Sequence, residues 1–182
     1  MLILPLIVVF NGLSQDTTLR LYDVSHISIF LVMLVRPLAD ILTNAQWVRP
    51  LVILRKGVGV LSASVVVSFI FAKIIVDATG YFASFGTASY WSLTNLALFA
   101  HLADISAVIL LITSNNLSKK LLGTWWKRVQ KLSYIYFYSS ALYVYVTYGT
   151  TALLYAMIII TTITLFAYFK NRQRAVLNSQ TI

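Results

Sequence analysis

The 182-residue chain is 59% hydrophobic and only 10% charged, where an average soluble domain is roughly a quarter charged. With a mean hydropathy of +0.84 it has too little charge to cover a water-facing surface, and it reads as an all-α polytopic membrane bundle solvated by the lipid bilayer. The absence of Cys excludes disulfides, thiolate metal sites and Cys nucleophiles. The net charge of +9 does not point to nucleic acid, because the cations sit between apolar runs, where the positive-inside rule places them, and form no basic face.

Six apolar runs succeed one another along the chain, at about 1–12, 26–43, 58–77, 94–113, 132–148 and 151–169, and six spans are expected. All but the first approach the ~20 residues that cross ~30 Å of hydrocarbon. The first rises only about 20 Å as a helix and lacks the basic n-region and small-residue cleavage site of a signal peptide. Arg49, Arg55 and Lys56 precede the third run, Lys119, Lys120, Lys127, Arg128 and Lys131 precede the fifth, and Lys170, Arg172 and Arg174 come after the sixth. These groups hold 11 of the 14 cations, so both termini are expected in the cytoplasm, with residues 13–25 and 78–93 as outer loops. Trp47, Trp125 and Trp126 then form an inner aromatic belt, and Tyr81, Tyr90 and Trp91 an outer one. Short polar loops and the lack of a nucleotide-binding motif give a single domain over 1–182, ending in a basic tail at 170–182.

Several strings carry a family resemblance. They are Val35-Arg36-Pro37-Leu38, Arg55-Lys56-Gly57-Val58-Gly59, Leu111-Ile112-Thr113-Ser114-Asn115 and Trp126-Lys127-Arg128-Val129-Gln130-Lys131-Leu132-Ser133-Tyr134, with Asn11-Gly12-Leu13 ahead of them. In this order and spacing, over roughly 5–150, the chain resembles the ferric-reductase-like transmembrane domain. It is most similar to the haem-binding membrane subunit of periplasmic methionine sulfoxide reductase. The resemblance implies a helical core holding haem b between His residues of the third and fifth spans. It also implies a bacterial inner-membrane location and delivery of quinol- or flavin-derived electrons to a periplasmic oxidoreductase partner. Here the family's ligand positions fall on Phe69, Gln130 and Tyr143; Phe cannot ligate iron, and Tyr does so only in special cases.

His26 and His101 are the chain's two imidazoles and the candidates for a rebuilt haem site, with Tyr143 as a third. Counted along helices, His26 lies about 27 Å from the inner end of its span and His101 about 19 Å from its own, an awkward pair for one iron. His26 also reads as an interfacial polar residue at a helix start. Lys73, Asp77, His101 and Asp104 form an intramembrane polar cluster, and such residues usually face the bundle interior and pair. Four readings stand: a buried Lys73–Asp104 pair beside His101, a local Lys73–Asp77 pair, a proton or ion path, and a Lys73 that snorkels to the outer interface. Arg36 and Asp40 are spaced for a local pair. The tyrosines of the fifth run, Tyr134, Tyr136, Tyr138, Tyr143, Tyr145 and Tyr148, suit interhelical hydrogen bonding and interfacial anchoring.

No catalytic constellation is evident, so the chain is at most a non-catalytic electron-transfer subunit of an oxidoreductase. Three functions are open. The first is a divergent electron-transfer subunit whose haem is reduced in number or lost. The second is a haem-less structural or partner-binding subunit of a membrane complex. The third is a small proton- or ion-coupled transporter.

Overall fold

A computed structural model describes residues 14–43, 45, 48–93 and 96–180, and every regular element among them is helical. In chain order these are α1 (Gln15–Ile41), α2 (Val48–Val76), α3 (Ala78–Ser84), a 3-10 turn (Ala88–Trp91), α4 (Ala97–Thr113), α5 (Asn116–Leu122), α6 (Trp125–Val129), α7 (Leu132–Tyr148) and α8 (Thr151–Gln180). The all-α membrane bundle expected from composition is what the residues form. The short first apolar run, Asn11-Gly12-Leu13 and Trp47 lie outside the described residues.

Three stretches, Leu19–Ile41, Pro50–Val76 and Thr151–Arg174, are long and apolar enough to cross a membrane; α4 and α5 make a fourth if taken together, bent by 95°. Helix α7 has 17 residues and rises about 25 Å, a little short of the hydrocarbon thickness. The described residues therefore supply three or four candidate spans by length and composition, against the six expected.

Element boundaries differ from expectation where polar residues are helical. Residues 15–25, expected within an outer loop, are the first three turns of α1. Ser14 caps them by accepting a 3.3 Å hydrogen bond from the Thr17 N–H, Asp16 sits where the helix dipole favours an anion, and Arg20 bridges to it one turn on at 2.9 Å. Arg55 and Lys56, expected in a loop, lie about two turns inside α2. There the Arg55 Nε donates to the Val32 carbonyl of α1 at 3.0 Å, which gives the half-buried guanidinium one acceptor without breaking the helix. The basic tail likewise continues α8 as helix.

The five long helices close into a ring in which α1 packs on α2, α2 on α4, α4 on α7, α7 on α8 and α8 back on α1, with α1 and α7 also touching across the middle. The core sits at that crossing: Ile29, Val32 and Met33 of α1, Val66 of α2, Ala103 and Ala107 of α4, Tyr136 and Phe137 of α7, and Ile160 of α8. Alanines at 103 and 107, one turn apart, let α4 approach α7 closely. Around this core many large apolar side chains face outward, among them Ile53, Phe71, Ile112, Tyr155 and Phe166. That arrangement suits a lipid solvent.

The basic groups gather at one end of the ring. Lys56 Nζ donates to Asn116 Oδ1 at 3.1 Å, tying the start of α2 to the start of α5. Lys170 Nζ donates to the Ile41 carbonyl at 2.8 Å, and Arg174 reaches the Asp40 carbonyl at 3.4 Å and Thr43 Oγ1 at 3.1 Å, tying α8 to the end of α1. The Arg36–Asp40 pair expected from spacing does not form: the one ion pair among the described residues is Arg20–Asp16.

Candidate functional site

At the opposite end of the ring, the outer end of the expected topology, α2 and α4 part around a cavity of about 260 Å³ roofed by α3 and the 3-10 turn. Its lining is apolar except for Tyr81, Tyr90, His101 and Asp104. The roof is built locally. Asp77 ends α2 and caps α3, its Oδ1 accepting from the Gly80 N–H at 2.8 Å; a Cβ at position 80 would push that carboxylate out of its place. Trp91 Nε1 donates to the Phe85 carbonyl at 2.9 Å and folds the 3-10 turn back over α3.

Aromatic rings line the cavity. Tyr90 lies flat on His101, with ring centroids 3.2 Å apart and planes 7° from parallel. Phe85 and Trp91 approach the same imidazole at 6.4 Å and 6.0 Å. Burial, then Tyr81 and Asp104 beside it, pushes the Tyr90 phenol up to about 12; burial and Asp104 also raise that of Tyr81.

The four members of the expected polar cluster are only partly brought together. His101 and Asp104 share the cavity wall, as their i,i+3 spacing on α4 requires. Asp77 is committed to its cap and Lys73 is exposed on α2. Neither expected Lys73 ion pair, with Asp104 or with Asp77, is formed among the described residues. The physical reason is that Asp77 is used to cap a new helix, while Lys73 stays exposed, near enough to Asp104 and His101 for the charges to interact but paired with neither.

The family's haem-ligand positions fare differently from one another. Phe69 is buried, and its ring stacks on Tyr22 of α1 at 4.6 Å and 11°, so hydrocarbon fills the place where an imidazole was expected. Gln130 caps the end of α6, with its Nε2 buried and unpartnered. Tyr143 is half-buried on α7. His26 lies three turns inside α1, not at its start. Its Nδ1 donates to the Tyr22 carbonyl at 2.8 Å, which leaves Nε2 buried without a partner; His101 Nδ1 is likewise buried and unpartnered. A phenylalanine in van der Waals stacking and an amide are not a haem b ligand set, so the residues at the family's positions do not fit the group.

One polar cluster escaped the sequence reading. Ser25 of α1, Ser62 of α2 and Tyr136 of α7 are all buried and meet at the centre of the ring. Ser62 Oγ donates to the Ser25 carbonyl at 2.9 Å and Ser25 Oγ to the Ser62 carbonyl at 3.1 Å. The Tyr136 hydroxyl stands 3.0 Å from both serine oxygens. A usable signal was present: serines at 25 and 28, and at 62, 64 and 68, in otherwise apolar helices mark faces of close approach. Tyr138 similarly reaches Thr161 of α8 at 2.7 Å, so the interhelical role expected of the tyrosines holds for two of them.

No family model, curated protein or solved structure matches the chain.

Proposed function

We propose that the chain is a haem-free structural subunit of a membrane complex, retaining a helical bundle similar to the ferric-reductase-like domain and using it to hold partner subunits in the bilayer. The observation that carries this reading is Phe69: its ring is stacked on Tyr22 in the core, at the position from which the family ligates iron. The central polar groups support the same reading, because Ser25, Ser62 and Tyr136 bind one another across three helices and serve helix association instead of a substrate. The convergence of Lys56, Lys170 and Arg174 at one end supports placing that end, with the end of α8, on the cytoplasmic face of the membrane.

The test is a dithionite-reduced minus oxidised spectrum, with a haem-to-protein ratio, on protein purified in mild detergent from a haem-replete host. The expected result is no b-type signal, together with co-purification of a membrane partner. A near-stoichiometric signal abolished by His101→Ala would overturn it. That outcome would favour a second reading, an electron-transfer subunit serving a periplasmic oxidoreductase, for which the bare, buried ring nitrogens of His26 and His101 are the supporting observation.

A further inference from the structure

Helix α4 ends at Thr113, and α5 leaves it at 95°. If α4 crosses the bilayer, α5 lies along its surface. The bend is fixed on both sides: Asn115 Oδ1 accepts from the Ser118 N–H at 2.6 Å, and Trp126 Nε1 donates to the Thr113 carbonyl at 3.1 Å. On this elbow, Leu117 and Leu121, one turn apart, are 67% and 78% exposed, and Trp125 is 60% exposed. Such side chains are out of place in water and suited to the boundary between headgroups and acyl chains.

Beside them stand Lys119, Lys120, Lys127 and Arg128, all exposed. Two are held over tryptophan rings, the side chains that favour bilayer interfaces: Arg128 at 4.5 Å from Trp125 and Lys119 at 5.4 Å from Trp126. Nothing in the second half of the chain neutralises them, because no acidic residue comes after Asp104. We infer that the elbow spanning residues 116–131 is a binding surface for anionic phospholipid, its cations on the headgroup phosphates and Leu117, Leu121 and Trp125 among the upper acyl carbons. The leucines select lipid over an acidic protein or a nucleic acid, since those partners would satisfy the cations and leave the apolar side chains in water.

The experiment uses the full chain in mild detergent, titrated with phosphatidylglycerol or phosphatidylcholine, with bound lipid counted by native mass spectrometry. Phosphatidylglycerol should be retained in preference to phosphatidylcholine. Replacing Lys119, Lys120, Lys127 and Arg128 together by Gln should weaken phosphatidylglycerol binding at least about tenfold. The double change Leu117→Ser, Leu121→Ser, which keeps every charge, should also weaken it. All six positions are exposed, and an unchanged melting curve confirms that each variant folds. Equal retention of the two lipids, or a Gln variant that binds normally, overturns the inference. So does a Leu117→Ser, Leu121→Ser variant that binds normally while an oligonucleotide displaces the lipid, because the elbow would then be a general polyanion surface.

Discussion

The two ends of the helical ring are held together by different chemistry. At one end, Lys56, Lys170 and Arg174 hydrogen-bond across elements, the last two to carbonyls at the end of α1. Those carbonyls have no intrahelical partner and carry the negative end of the helix dipole, so a cation both satisfies and neutralises them. At the other end, Tyr81, Phe82, Phe85, Tyr90, Trp91 and His101 pack ring against ring, and the one charged side chain built into the roof, Asp77, is used as a helix cap. The cationic end is held by directional bonds that water and salt weaken, the aromatic end by contact area that they do not.

The largest effect is expected where ring packing reaches the core. Phe69→Ala removes the partner of Tyr22 and should cost about 3–5 kcal/mol, read as a drop in melting temperature in detergent that is the same at low and high salt. Phe69→Leu, which keeps most of the volume, should lose much less. A loss below about 1 kcal/mol for the alanine variant would mean that this half is not held by packing. The double change Lys170→Gln, Arg174→Gln unties α8 from α1 and should cost about 1–2 kcal/mol. Its deficit should shrink in high salt, where the unmodified protein has already lost part of the interaction. A salt-independent deficit would erase the contrast between the ends.

Hydropathy made the helices legible, and least so where a helix runs past its apolar stretch. α1 begins at Gln15 and α8 continues to Gln180, because a capped or charged turn is as helical as an apolar one and only its solvent differs. α7, apolar end to end, begins and ends where its run does. The positions of Lys73 and Asp77 suggested a pair on one helix face, yet α2 breaks after Val76 and Asp77 serves as the N-cap of α3. Spacing predicts a contact only while the helix continues. Tyr90 on His101 was illegible for another reason: the residues are 11 apart across a turn, and no local period brings them together. Ser25, Ser62 and Tyr136 were half legible, as serines in apolar helices, but which helix each would meet depends on the ring order of the bundle.

The smallest predicted effect isolates the aromatic end. The Tyr90 phenol stands at about 12 in the fold and near its ordinary value of about 10 in an unfolded chain, because burial and the nearby Tyr81 and Asp104 disfavour the phenolate. The fold therefore holds this proton more tightly than the unfolded chain does. The stabilisation is complete below about pH 10 and is lost as pH rises through about 12. Tyr90→Phe keeps the ring that lies on His101 and removes only the hydroxyl. Subtracting its ultraviolet tyrosinate titration from that of the unmodified protein should leave a single step centred near 12. A step near 10 would place Tyr90 in water, and the aromatic end would then be an open rim in place of a packed roof over His101 and Asp104.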